Sequence, residues 1–281
     1  MKKSLCKFGA GLLIGLPCLA PVAQAEEAAT PELTTNIGVV SEYVFRGIRQ
    51  TWGQPAIQGG IDYVHPSGWY VGTWMSNTSS KLYGGATVEV DLYGGYRTTI
   101  ADVTYDVGVL QFLYPGANYN KITPANTYRS KTYNTTELYV AGTWQWLNAK
   151  VSRTMTNVGY GGFSNNNAPV GGFPGDTSAG VTGANTKGSW YVELNANYEF
   201  LPTWTVNAHV GHESVANSKN LNYEDYKLGV TKTLPNGWSA SLAYSATSGT
   251  TYWKRYPSVT NDGTKLNMAD DVWIASVNRT F

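Results

Sequence analysis

His212-Glu213-Ser214 sets a base and a hydroxyl nucleophile two residues apart. On an extended strand, side chains at i and i+2 leave from the same face, so His212 and Ser214 share a side and Glu213 points away. A histidine that takes the serine proton, with a polar neighbour orienting its ring, is the chemistry of acyl hydrolysis. Asn217, Asn220 and Asn222 lie close enough in sequence to be that neighbour. The bland alternative is a structural rim histidine beside a loop serine, and one such pair among many serines is a weak motif.

Other chemistry is poorer still. His209 and His212 fall on opposite faces of one strand and His65 falls in a turn, so no histidine set converges on a metal. Gly171-Gly172-Phe173-Pro174-Gly175 lacks the Lys-Ser/Thr that a phosphate-cradling loop needs. Asn77-Thr78-Ser79 and Asn134-Thr135-Thr136 match a glycosylation pattern, but the chain looks bacterial and both are expected bare. No cofactor and no metal are implied.

A larger set of charges recurs at alternate positions. Period-two parity places Glu42, Arg46, Asp62, Glu89, Asp91, Arg97, Asp106, Glu137, Lys150, Glu193, Glu199, Asp225 and Lys227 on one face, the interior of a closed sheet. Acids outnumber bases, and charges lining a confined aqueous path concentrate counter-ions, which predicts a mild cation preference. The competing reading is a self-paired polar network that fills the barrel. Gly38, Gly60, Gly72, Gly95, Gly108 and Gly229 share the inward parity, where they would spare lumen volume or relieve strain in a curved sheet.

The elements that must carry these residues are legible in Trp190 to Phe200. There Trp190, Val192, Leu194, Ala196, Tyr198 and Phe200 alternate with Tyr191, Glu193, Asn195, Asn197 and Glu199. The pattern recurs in segments of roughly ten residues, enough for a tilted strand to cross a bilayer. It predicts an all-β transmembrane antiparallel barrel of about 12 strands: 35–46, 56–65, 69–76, 87–97, 103–114, 136–146, 149–157, 189–200, 204–213, 223–233, 238–246 and 271–281. Every second connection is short (65–68, 98–102, 147–148, 201–203, 234–237) and the others are long, as for periplasmic turns and extracellular loops. Trp69, Trp146, Trp204 and Trp238 beside the short turns suggest an aromatic girdle. Residues 159–188, rich in Gly, Asn, Thr and Ser, read as an external loop, with a lumenal constriction as the alternative. Arg153 resists the scheme, because it shares parity with Val151 and Met155. A charge facing lipid at mid-membrane costs about 2–4 kcal/mol, so either a bulge flips the strand or its assignment fails there.

Residues 1–25 fit a cleaved export signal, with Lys2, Lys3 and Lys7 before an apolar stretch and Ala23-Gln24-Ala25 before Glu26. Residues 26–34 would then be an N-terminal periplasmic segment and 35–281 the barrel. Both cysteines, Cys6 and Cys18, lie inside the signal, so thiol chemistry leaves with it. Removing three lysines takes Lys+Arg from 20 to 17 against 19 Asp+Glu, which moves the formal charge from +1 to −2. That balance excludes a basic nucleic-acid surface. Charged residues at 14%, aromatics at 13% and 31 glycines suit a barrel with an apolar outer band better than a soluble enzyme.

Several blocks resemble the TorF-type porin family of proteobacteria over essentially the whole mature chain. They are FRGIRQ from Phe45, PAIQGGIDY from Pro55, SGWYVGTW from Ser67, DLYGGY from Asp91, YDVGVLQFLYPG from Tyr105, AHVGHES from Ala208 and YKLGVTKTL from Tyr226. The resemblance implies an outer-membrane channel of unspecified substrate, among outer-membrane lipid and lipopolysaccharide. The terminal Phe281 resembles the signal read by the barrel assembly machinery, with Arg279 a departure from it. The His212/Ser214 pair resembles the catalytic pair of outer-membrane phospholipases, although the residues after Ser214 do not follow that family. Passive diffusion of small hydrophilic solutes or ions is therefore the expected function, without enzymatic activity. Lipid hydrolysis and an adhesion or binding surface borne on a closed barrel are the alternatives.

Overall fold

The computed structural model describes residues 31–121, 132–156, 186–216, 221–248 and 252–281. Twelve antiparallel strands close into one barrel. They are β1 Glu32–Val40, β2 Ala56–Val64, β3 Trp69–Asn77, β4 Val88–Ile100, β5 Val103–Leu113, β6 Thr135–Trp144, β7 Leu147–Thr154, β8 Trp190–Leu201, β9 Trp204–Ser214, β10 Tyr223–Thr233, β11 Trp238–Ser248 and β12 Val272–Thr280. Each pairs with its sequence neighbour, and β1 closes the ring against β12, with Val39 opposite Val277. Closure leaves no sheet edge with unpaired backbone groups. No helix among the described residues is long and apolar enough to cross a membrane.

The outer wall is apolar. Ile57, Val71, Leu92, Val107, Val140, Leu194, Leu228 and Leu242 point outward and are exposed. Trp69, Trp146, Trp204 and Trp238 stand outward beside the short turns, as expected, and Trp190 and Trp273 stand outward at the opposite rim. Rings meet across strands on this wall, Trp69 with Tyr96 at 5.2 Å and Tyr244 with Trp273 at 5.1 Å.

Inside, four tyrosines lie flat across glycines of the adjacent strand: Tyr70 over Gly95, Tyr93 over Gly72, Tyr139 over Gly108 and Tyr191 over Gly211. A Cβ on any of these glycines would run into the ring. The inward glycines at 72, 95 and 108 therefore neither widen the bore nor merely relax the sheet; they seat the aromatic layer that lines it.

Three expectations are corrected. The first strand ends at Val40 rather than 46, so Glu42 and Arg46 are not on the wall. Ser41 closes the ladder, its N–H donating to the Ala275 carbonyl at 2.8 Å, and the chain then turns into the barrel. Around Arg153 no bulge intervenes: β7 pairs regularly with β8, Arg153 opposite Trp190. Arg153 does point outward, but it is one residue from the strand end and its guanidinium lies 4.9 Å from the Trp190 ring. There its long stem reaches the rim, so the mid-membrane cost does not arise. The 98–102 turn is also shorter than expected, since β4 runs to Ile100 and β5 starts at Val103.

Candidate functional site

Residues 41–55 form a hairpin inside the barrel. Val44–Phe45 pairs with Ile48–Arg49 through the two-residue turn Arg46-Gly47, where both residues have positive φ (46° and 73°). That is the twist a tight hairpin requires, but arginine rarely adopts it. Gly47 admits no side chain at all, because a Cβ would meet Thr247 and Asp225.

The hairpin reaches walls on opposite sides. On one side Tyr43 packs on Trp74 of β3 (5.3 Å) and Phe45 on Phe112 of β5 (5.6 Å). On the other, Thr247 of β11 donates to the Gly47 carbonyl at 2.8 Å. Arg46 makes a two-pronged contact with Glu137 of β6, Nη1 to Oε1 at 2.9 Å and Nη2 to Oε2 at 2.7 Å. Its guanidinium also lies 3.8 Å from Glu213 of β9 and 4.1 Å from the centre of the Tyr191 ring on β8. At the hairpin base Arg49 pairs with Glu42 at 2.7 Å.

Loops fold down on the hairpin from the outer end. Tyr83 donates to Gln50 at 2.7 Å and stacks on Tyr114, and Arg49 N–H donates to the Met268 carbonyl at 3.0 Å. Burial, with the Glu89 charge adding to it, pushes the Tyr83 and Tyr114 phenols well above their ordinary value. Outside this layer Lys81 reaches Asp262 at 3.0 Å. The Thr264 hydroxyl and N–H, together with that ammonium, hold the Asp262 carboxyl below the usual carboxylate range. The apolar core of the molecule is thus this plug of loop residues at one end of the bore.

Towards the other end lies a paired polar network. Arg97 meets Asp106 at 2.9 Å, and Tyr70 donates to Asp106 at 2.6 Å. Tyr93 donates to Asp62. Lys150 sits 3.8 Å from Glu193 and over the Tyr139 ring. His209 bridges Asn195 at 2.7 Å and Asp225 at 2.8 Å, and Tyr191 donates to the same Asp225.

All eleven wall residues of the predicted charged set lie on inward-facing positions, and the hairpin carries Glu42 and Arg46 into the same interior. Glu199 departs in role: near the short-turn rim its carboxylate accepts from the Thr203 N–H at 2.8 Å. Lys227 is inward on β10, opposite His209. Sequence reading missed Glu213, which parity alone would have found, and Arg49 and His209. It also missed the tyrosine layer, whose signal was tyrosine opposite glycine at three register pairs, 70/95, 93/72 and 139/108.

His212 and Ser214 do share the outward face near the loop-side rim. The His212 ring meets Glu224 at 3.2 Å, and Ser248 donates to the same carboxylate at 3.1 Å. Among the described residues no hydrogen bond joins Ser214 to His212. Asn222 instead accepts from the Val215 N–H at 2.8 Å; Asn217 and Asn220 lie outside the described residues, as do 1–30 and most of 159–188. Arg279, the terminal departure, points outward over Trp238 and Phe281 at 5.4 and 4.4 Å. Three or more metal-capable side chains do not cluster anywhere among the described residues.

A family model described as "Bacterial protein of unknown function (Gcw_chp)" matches residues 24–281. No curated protein matches the sequence. Among solved structures the chain is similar to the KdgM porin, at 8% identity and a TM-score of 0.48, covering 88% of this chain and 99% of that one. It is similar to the COG4313 outer membrane channel from Pseudomonas putida F1 at 11% identity and 0.43, covering 92% and 100%. The outer membrane protein OpdK from Pseudomonas aeruginosa is at 10% identity and 0.38, covering 81% and 58%. At these values the likeness carries no assignment to this chain.

Proposed function

We propose that this chain, which belongs to the Gcw_chp family of bacterial proteins, is a TorF-type outer-membrane channel for passive diffusion of small hydrophilic solutes or ions. The observation that carries the reading is the inversion of the barrel: apolar side chains cover its outside while charged and amide side chains line its inside. Water-soluble barrels bury the apolar face; only a lipid surround makes this arrangement stable. In this reading residues 1–25 are removed on export, the outer wall meets lipid and lipopolysaccharide, and the assembly machinery recognises the last strand with Phe281.

Twelve strands fall between the filled eight-stranded barrel and the wide channels of sixteen. The tyrosine layer narrows the bore further, so solutes are small. Acids outnumber bases on the inward positions named above, which favours cations. The plug at the loop end supports a second reading, a closed barrel whose loops bind an external partner. The test is conductance of the refolded protein in a planar membrane under a salt gradient. Conductance with a cation-selective reversal potential is expected; anion selectivity removes the charge argument, and a correctly inserted but silent barrel under all conditions favours the binding surface.

A further inference from the structure

Glu89 and Asp91 are i and i+2 on the inward face of β4, with about 7 Å between their Cα atoms. They are 0% and 1% exposed. Tyr114 donates to Glu89 Oε1 at 3.2 Å. Among the described residues, Glu89 Oε2 and both oxygens of Asp91 have no hydrogen-bond partner. Asp91 stands between Trp74 and Phe112 on the ladder, and these are the two rings on which Tyr43 and Phe45 rest. The seated hairpin therefore covers a carboxylate pair that, among the described residues, has the Tyr114 hydrogen bond and no ion-pair partner. Charged and titratable groups face it from every side: Tyr43 and Arg46 from the hairpin, Tyr83 and Tyr114 from the loops, Tyr93 from β4 and Glu137 from β6. The nearby cation, Arg46, is already committed to Glu137 and Glu213.

Burying an ionised carboxylate without a partner is strongly unfavourable, so the covered pair must take up positive charge. A metal ion would need at least three protein ligands to be held dry, and no such cluster is present among the described residues. A proton suffices. We propose that Glu89 and Asp91 form a proton-binding site that controls the hairpin, which is seated when the pair is protonated and expelled when it ionises. This rests on the channel reading above. The sign follows from linkage: the seated state binds more protons, so acid favours it and rising pH opens the bore. Each proton released on opening changes the open-to-closed ratio about tenfold per pH unit through the titration range.

The experiment is planar-membrane conductance from pH 5 to pH 8 on four forms of the mature chain, each first shown to fold by its heat-dependent gel mobility. They are the wild type, Glu89→Gln, Glu89→Gln/Asp91→Asn, and a variant with 43–51 replaced by a glycine-serine linker. The wild type should be nearly closed at pH 5 and open progressively towards pH 8. The double variant should remain at the closed level throughout, Glu89→Gln should open at higher pH than the wild type, and the linker variant should conduct at every pH. A flat wild-type profile beside a conducting linker variant overturns the gate and spares the channel. A silent linker variant overturns both. A pH response that survives in the double variant assigns it to other groups and overturns the proposal, as does opening that follows added calcium at fixed pH.

Discussion

Arg46→Ala tests whether the hairpin is held by one electrostatic clamp. Arg46 and Glu137 are almost wholly buried, their side chains 3% and 2% exposed, and Glu213 beside them is 1% exposed. Removing one partner of a buried ion pair leaves the other charge stranded, at a cost of about 3–5 kcal/mol. Loss of the Tyr191 stack adds roughly 0.5–2 kcal/mol. The barrel ladder does not pass through Arg46, so the penalty falls on the seated hairpin. At about 1.4 kcal/mol per tenfold change, even 3 kcal/mol moves the seating equilibrium more than roughly a hundredfold. The hairpin should leave the bore.

The assay is single-channel conductance at pH 6, where the wild-type hairpin is expected to be mostly seated. Arg46→Ala should be open most of the time, and Arg46→Lys, which keeps the charge but loses the fork, should fall between. In Arg46→Ala/Glu137→Ala only Glu213 is left without its cation, so the effect should be clearly smaller than the sum of the single changes. Wild-type conductance in Arg46→Ala, with additive behaviour in the double variant, would refute the clamp.

Two further outcomes follow from the wall. Gly108→Val should force Tyr139 off its seat and destabilise the barrel by about 1–3 kcal/mol, read as a lower denaturation midpoint in urea with the refolded protein in detergent. Neither the wild type nor Ser214→Ala should cleave phospholipid above the blank, because Glu224 rather than Ser214 holds His212; cleavage by the wild type that the variant loses would restore the hydrolase reading.

Period-two patterning made the barrel legible because one face of every strand must be apolar and the other polar, and that demand is local. Eleven of the twelve strand spans agree with the structure to within a few residues, and parity put the wall charges inside. The failure at the first strand has a physical origin. Val40, Tyr43, Val44 and Phe45 continue the run of β-formers past Ser41, since a hairpin buried in the lumen also needs apolar and β-branched residues. The strand and its plug therefore read as one element. The two positive-φ residues of its turn were hidden because arginine does not advertise a tight turn as asparagine does.

The pairing of charges was less legible for a different reason. Parity says which side of the sheet a residue faces, but neither its height in the bore nor what crosses the bore at that height. Arg97 and Asp106 face each other as register partners and need only the β4–β5 turn to meet. Arg46 meets Glu137 across 91 residues, and only because the first loop turns inward. Glu89 and Asp91 carry the same consequence in reverse. On an open wall they would be two ordinary solvated acids, and the hairpin that packs on Trp74 and Phe112 turns them into a buried pair. Their chemistry belongs to a fold of the loop over the strand, so it exists only while the hairpin is seated.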